Sequence, residues 1–258
     1  VSKGLITCCL VSKHRTDLNL FIDILKLHYS YYNEYPKNVC ADAGYGSLDN
    51  YKFLSNNNIG NYVKYFSWEG NISGRYPSQY IINEDNSITC LNGKIGYPTK
   101  EINRHPKKAN AVFYKITGCD GCGFNDYCKR FLKDKSKNEK IFEVVIELQQ
   151  FIKQAELNLL SIKGIELRVN RSSQVEGAYG VIKQDMMYTR LRRTSLIKAS
   201  AEIKLICLGY NIRKLFKHYS GKGKFNYWIA PDDLKPETKK KPSQKRLSNK
   251  INRKKGQT

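Results

Sequence analysis

The sequence predicts an α/β fold in which helices cover a parallel sheet. Across residues 1–66, short runs of apolar and β-branched residues alternate with segments whose apolar residues recur every three or four positions. The resulting order is strand, helix, strand, helix, strand, which requires crossover connections and makes neighbouring strands parallel. The chain has 258 residues, 40% of them hydrophobic, and is therefore large enough to bury a core.

Capping and turn residues delimit the five elements of this region. A cap at Thr16 or Asp17 begins the first helix, which ends before Pro36, and a cap at Ser47 begins the second helix. The predicted elements are strands at 5–11, 38–41 and 61–66, a helix of about 15 residues after the first strand, and a helix at 48–57.

Asp42 is the candidate functional residue of this region. It follows the predicted strand at 38–41 directly, where Gly44 and Gly46 supply a tight turn. An acid at the carboxyl end of a strand in an α/β sheet points into the crevice where such folds bind ligands. The alternative is a turn aspartate that only hydrogen-bonds its own backbone.

Residues 67–138 interrupt this alternation and are interpreted as an insertion. Cys119 and Cys122 are two residues apart in a glycine-rich knuckle, Cys128 follows them, and Cys90 is a candidate fourth partner. This spacing lets thiolates reach one tetrahedral ion, so these four cysteines are candidate Zn²⁺ ligands. A knuckle with free thiols and no ion is the alternative. The remaining cysteines lie in apolar runs and are interpreted as small core residues: Cys8, Cys9, Cys40 and Cys207.

The C-terminal half is predicted to be helical. The longest pattern of apolar residues with helical spacing runs over residues 139–162 and stops at Gly164. A second pattern covers residues 171–183, and a final helix is predicted at about residues 196–217.

Glu176 and Lys183 are the candidate functional residues of this half. They are seven residues apart, so they lie near one side of a helix and two turns from each other. An exposed Glu and Lys on an ordinary amphipathic helix are the alternative. Gly177 and Gly180 weaken this alternative, because glycine inside a helix is costly unless something approaches closely.

The charge of the chain favours a polyanionic partner. Forty-five Lys and Arg against 23 Asp and Glu give a formal charge of +22, although part of this excess follows from a sequence rich in Lys throughout. Arg190, Arg192 and Arg193 form a basic stretch, and residues 231–258 are predicted to be a disordered basic tail that contacts phosphates or only solvent. With no run of roughly 18 apolar residues and no secretory layout, we expect a cytoplasmic protein that does not enter membranes.

Three segments together resemble DDE-type transposases of bacterial insertion sequences. They are Ala41-Asp-Ala-Gly-Tyr-Gly-Ser47, the knuckle of Cys119, Cys122 and Cys128, and the segment 171–183. Glu176 and Lys183 fit the Glu-x6-Lys signature of that family. Four residues separate Arg171 from Glu176 where the usual form has three, and Arg168 stands where a Tyr is usual. The resemblance covers roughly residues 1–217.

The resemblance implies a ribonuclease H-like catalytic core. The chain would enter that fold at its third strand, so the first strands, the first catalytic Asp and any N-terminal DNA-binding domain are expected to be missing. The implied division is residues 1–66 for the first part of the core, 67–138 for the cysteine-containing insertion, 139–230 for the helical second part with Glu176, and 231–258 for the tail.

The activity implied by the resemblance is metal-dependent cleavage and transfer of DNA strands at transposon ends. Asp42 and Glu176 would hold Mg²⁺ or Mn²⁺, Lys183 would contact DNA phosphate near the cut, and the DNA-binding residues would be Arg171, Lys183, Arg190, Arg192 and Arg193. With two of three acids, cleavage by this chain is expected to be weak or absent, and a homo-oligomer is a further expectation. A non-catalytic basic nucleic-acid-binding protein and a zinc-knuckle interaction module are the alternatives.

Overall fold

The computed structural model describes residues 1–75, 78–99, 111–223 and 227–229. The chain forms two compact units. The first combines residues 1–66 with the described residues from 152 onward, and the second contains residues 67–151. The tail at 231–258, predicted to be disordered, lies outside the described residues. No helix within the described ranges is long and apolar enough to cross a membrane.

The first unit contains the predicted pair of parallel strands, although the second ends at Val63, three residues before its predicted end. Strand β1 (Asn38–Ala41) pairs in parallel with β2 (Gly60–Val63), and Val39 lies opposite Asn61. Helix α1 (Phe21–Tyr32) precedes β1, and α2 (Leu48–Asn56) connects the strands. The hydroxyl of Ser47 accepts a hydrogen bond from the backbone N–H of Asn50, as its predicted role as an N-cap requires.

The strand predicted at residues 5–11 is wrong. Within the described residues this segment forms only an isolated bridge between Ser2 and Leu5. A β-strand needs a neighbouring strand to satisfy its backbone groups, and this segment has none in the described chain. A side chain, that of Asn211, satisfies the backbone groups of Ile6 instead. The amide of Asn211 accepts a hydrogen bond from Ile6 N–H and donates one to Ile6 C=O, both at 2.9 Å. The segment is thereby held against helices instead of joining a sheet.

The second unit is an antiparallel sheet of five strands that pair in sequence order. Its core consists of Ile88, Tyr114, Ile116, Phe142 and Val144, all of them buried. Two short helices, α3 (Trp68–Ile72) and α4 (Asn125–Cys128), accompany the sheet. The strands are β3 (Tyr80–Ile82), β4 (Ile88–Cys90), β5 (Ile95–Thr99), β6 (Ala111–Thr117) and β7 (Glu139–Val145).

The helix predicted at 139–162 begins seven residues too early. Residues 139–145 form strand β7, which pairs along its whole length with β6, and helix α5 covers Ile146–Leu160. Phe142 and Val144 are buried while Glu143 between them is exposed, which is the alternation of a strand. The apolar residues of this stretch fit both the helical and the strand period, and pairing with β6 makes the stretch a strand.

The remaining helices carry the candidate site. Helix α6 (Ile162–Arg171) starts at Ser161, whose hydroxyl accepts a hydrogen bond from Gly164 N–H, so Gly164 lies inside a helix instead of ending one. A π-helical turn (Ser172–Glu176), α7 (Gly177–Gly180) and a second π-helical turn (Val181–Asp185) continue α6. The predicted final helix is confirmed as α8 (Leu196–Tyr219).

Replacement of Asn211 tests how the N-terminal segment is held. Asn211→Ala removes two hydrogen bonds and leaves the peptide groups of Ile6 without these partners, so we expect the free energy of unfolding to fall by about 1–3 kcal/mol. Urea denaturation measures the change. The control, Asn56→Ala, alters an exposed residue of α2 and should change stability by less than about 0.5 kcal/mol. Equal effects of the two substitutions would contradict the role given to Asn211.

Candidate active site and basic surface

The fold places Asp42 at the carboxyl end of β1. Its backbone is extended and its C=O accepts a hydrogen bond from Tyr45 N–H, which starts a short 3-10 turn. The side chain makes no capping hydrogen bond to this turn, and 53% of it is exposed. The Asp42 carboxylate is therefore presented outward at the end of the strand, and the alternative of a turn-capping aspartate does not describe it.

Arg171 contacts Asp42 from a distant part of the sequence. Its Nη2 donates to Asp42 Oδ2 at 2.5 Å, and Arg171 is the last residue of α6. Its side chain is 22% exposed, so the guanidinium is mostly enclosed while the carboxylate is open to solvent. Ion pairs with one exposed partner contribute about 0–1 kcal/mol to stability. The pair therefore matters chiefly because it fixes where the end of α6 lies relative to Asp42.

The π-helical turn after Arg171 determines the direction of Glu176. In an α-helix, residues five apart point about 140° away from each other. In a π-helical turn the repeating backbone hydrogen bond joins residues five apart, so each residue turns through less than 100° and residues five apart diverge less than in an α-helix. The turn covers Ser172–Glu176, and exposed Glu176 is its last residue, five positions after Arg171. The additional residue between Arg171 and Glu176 is thus absorbed by the wider turn.

Tyr45 borders this region and was not predicted as a site residue. Its hydroxyl donates to Asp17 Oδ2, and burial together with this hydrogen bond raises the pKa of Tyr45. Tyr179 and Asp42 are charged or ionisable neighbours of the same hydroxyl. Asp17, predicted as a possible cap, makes no side-chain capping hydrogen bond to the turn that follows it. The sequence signal that could have indicated Tyr45 is its position between Gly44 and Gly46, in the turn that follows Asp42.

The acids do not form a complete metal cage. In the part of the chain that the structure describes, no three His, Cys, Asp or Glu side chains are grouped as metal ligands. Asp42 and Glu176 both offer hard oxygen donors, and both side chains are exposed. Mg²⁺ is usually bound by one or two carboxylates together with water and substrate phosphates. Each carboxylate therefore has the chemistry of a partial ligand for such a cation.

Four of the five predicted DNA-binding residues, all except Arg171, lie beyond Glu176 and are exposed. Lys183 is in the second π-helical turn, and its ammonium is 5.7 Å from the centre of the Tyr179 ring. Arg190, Arg192 and Arg193 are exposed in the segment before α8. Lys183 and this arginine segment are therefore open to a polyanion.

Glu202 anchors the arginine segment. Its carboxylate accepts hydrogen bonds from the backbone N–H groups of Arg192 and Arg193 and from the Tyr188 hydroxyl. The hydrogen bond from Tyr188, together with those backbone N–H groups, lowers the pKa of Glu202. Because the anchor uses backbone groups of the two arginines, it does not consume their guanidinium groups.

A basic cavity of about 170 Å³ was missed at the sequence level. Burial lowers the pKa of Lys214, whose ammonium is 5.9 Å from the centre of the Tyr210 ring, while Arg213 pairs with Asp185 at 2.9 Å. The signal in the sequence was the cluster of cations in the last turns of α8. The described residues that line the cavity are Val181, Tyr210, Arg213, Lys214, Lys217 and Gly223.

The four predicted cysteine ligands line a single cavity of the second unit. Cys90 ends β4, Cys119 and Cys122 lie in the turn after β6, and Cys128 ends α4. The cavity has a volume of about 30 Å³. Burial raises the pKa of the Cys119 and Cys128 thiols. All eight cysteines of the chain are free thiols.

Comparison with known families identifies the segment that contains these features. Residues 89–216 match the family model described as Transposase DDE domain. The chain carries the DDE domain of a transposase. The matched segment includes the cysteine cavity, Arg171, Glu176 and Lys183, whereas Asp42 precedes it. Searches of the curated proteins and of the solved structures give no match.

Proposed function

We propose that this DDE domain belongs to a transposase that cleaves and transfers DNA strands with divalent cations. The observation that carries the proposal is the contact of Arg171 with Asp42, which holds the end of α6, the helix that continues to Glu176, against the carboxyl end of β1. The parallel strands β1 and β2, joined by a crossover helix, support a ribonuclease H-like core for this unit. The second unit is then the insertion of that core.

Asp42 and Glu176 are the proposed cation ligands. Carboxylate oxygens are hard donors suited to Mg²⁺ or Mn²⁺. Such cations activate the attacking oxygen and stabilise the leaving oxygen of a phosphodiester. The exposed carboxylate of Asp42 leaves room for water and for DNA phosphates to complete the coordination.

Arg171 must release Asp42 Oδ2 before that oxygen can serve as a ligand. The contact is a single half-exposed ion pair, so its loss costs on the order of 1 kcal/mol or less. Once released, the guanidinium remains beside the site with its five N–H donors, which suit a phosphate group. Arg171 thus serves as a DNA contact in this proposal, and Lys183 supplies a second positive charge along the same helix.

Binding of Mn²⁺, measured by isothermal titration calorimetry, tests the metal ligands. Asp42→Asn and Glu176→Gln should each weaken binding by about tenfold or more, because each removes a charged oxygen ligand. Arg171→Met should strengthen binding, because it removes the competitor and keeps the apolar stem. The control is Asp23→Asn, which changes an exposed acid of α1 and should leave binding unaltered. If neither carboxylate substitution affects Mn²⁺ binding, the proposed centre is wrong.

DNA is the proposed partner on electrostatic grounds. The formal charge of +22 favours phosphates in general, and the anchored arginine segment gives them a defined surface. The basic cavity on α8 adds Lys214, a partly buried ammonium, and Lys217 beside it. A phosphate entering this cavity would bring a negative charge to Lys214.

The salt dependence of DNA binding tests these contacts. Each lost phosphate contact lowers the slope of log K against log salt by about 0.9 for duplex DNA. Lys214→Gln should therefore reduce the magnitude of this slope by about 0.9, the value for one phosphate contact. Replacement of Arg190, Arg192 and Arg193 by Gln should reduce it further. The control is Lys204→Gln, which changes an exposed lysine of α8 outside the cavity. Unchanged slopes for all these variants would place DNA binding elsewhere in the chain.

A non-catalytic nucleic-acid-binding protein is the second candidate function, and the extent of the basic surface favours it. The two measurements above distinguish the candidates. The second candidate predicts salt-dependent DNA binding together with Mn²⁺ binding that does not respond to Asp42→Asn or Glu176→Gln. The proposed function requires both responses.

A further inference from the structure

The backbone around the cysteine cavity is arranged to bring thiols together. Cys122 N–H donates to Cys119 C=O at 3.3 Å, and Gly121 between them has a φ of +65°, so the intervening residues make a tight turn. On the opposite side, Cys90 exchanges backbone hydrogen bonds with the turn of the β4–β5 hairpin, through Lys94 C=O and Gly93 N–H at 2.9 Å. Together with the end of α4 at Cys128, three separate backbone segments line the same cavity.

The size and walls of the cavity suit one ion. Its volume of about 30 Å³ gives room for a species the size of a water molecule or a single ion. Ile116, Phe124 and Phe142 contribute apolar walls to the cavity. The side chain of Asn125 also lines the cavity, and its buried Oδ1 has no hydrogen-bond partner among the described residues. With the amide rotated, its N–H₂ group could donate to a thiolate.

Two lysines provide charge that would balance a metal thiolate centre. Zn²⁺ with four thiolates carries a net charge of −2. Lys129 and Lys140 both line the cavity. Lys129 is only 1% exposed, and its ammonium donates to the neutral carbonyl oxygens of Lys135 and Lys137. A buried ammonium is costly without a nearby negative charge, and a Zn²⁺-thiolate centre would supply one.

We propose that Cys90, Cys119, Cys122 and Cys128 bind one structural Zn²⁺ ion that holds the β4–β5 hairpin to the knuckle. Four thiolates are a ligand set that selects zinc or iron among common metals. In the residues described, no three side chains are already grouped as ligands, so the thiols must rotate toward the ion. The site lies in the second unit and is independent of the proposed DNA chemistry at Asp42 and Glu176.

Metal analysis of the 258-residue chain, purified under reducing conditions and then equilibrated with Zn²⁺, tests the site. We expect about one tightly bound zinc per chain, and substitution with Co²⁺ should give the visible absorption of a tetrahedral thiolate complex. Cys90→Ser should weaken Zn²⁺ binding by about 100-fold or more, because one thiolate is lost. The matched control is Cys40→Ser, a half-buried cysteine of the first unit, which should bind zinc as the unaltered chain does.

The position of Cys90 makes the outcome decisive. Full zinc binding by Cys90→Ser would overturn the four-cysteine site, and so would a chain that binds no zinc or binds iron in its place. A chelator should lower the thermal midpoint of the unaltered chain and of Cys40→Ser, while it leaves that of Cys90→Ser unchanged. An equal response of all three proteins to the chelator would also contradict the proposal. Neither result bears on Mn²⁺ binding at Asp42 and Glu176.

Discussion

The contact of Arg171 with Asp42 is the constraint on which the candidate site depends. Arg171 fixes one end of the π-helical turn by its contact with Asp42, and the hydrogen-bond period of the turn then determines the direction of Glu176. A regular α-helix over the same residues would point Glu176 about 140° away from Arg171. The π-helical turn therefore narrows the angle between the directions of Arg171 and Glu176.

The helices that carry the site also secure the N-terminal segment. Gln174, within the same π-helical turn, accepts a hydrogen bond from Gly4 N–H, and Tyr210 on α8 donates one to Gly4 C=O. Asn211 completes this attachment at Ile6. Ala178, Ile182 and Tyr210 form one buried cluster, against which Ile6 packs. The position of Glu176 is thus linked to a packed region and not to an isolated surface helix.

Local signals predicted the elements that rely on local interactions. Ser47 capped its helix as expected, the crossover between β1 and β2 followed from element order, and α8 followed from its apolar spacing. The predictions were wrong where residues distant in the sequence determine the local structure. The segment at 5–11 has no strand beside it in the described chain, and residues 139–145 became a strand because β6 pairs with them. The contact of Arg171 with Asp42 spans 129 positions, and no local pattern encodes it.

The most direct test of the central claim is the position of Mn²⁺ in crystals of the 258-residue chain, located by anomalous scattering. We expect a Mn²⁺ ion about 2–2.5 Å from carboxylate oxygens of Asp42 and Glu176, with the Arg171 guanidinium displaced from Asp42 Oδ2. A Mn²⁺ ion bound away from both acids, with Arg171 still paired to Asp42, would contradict it.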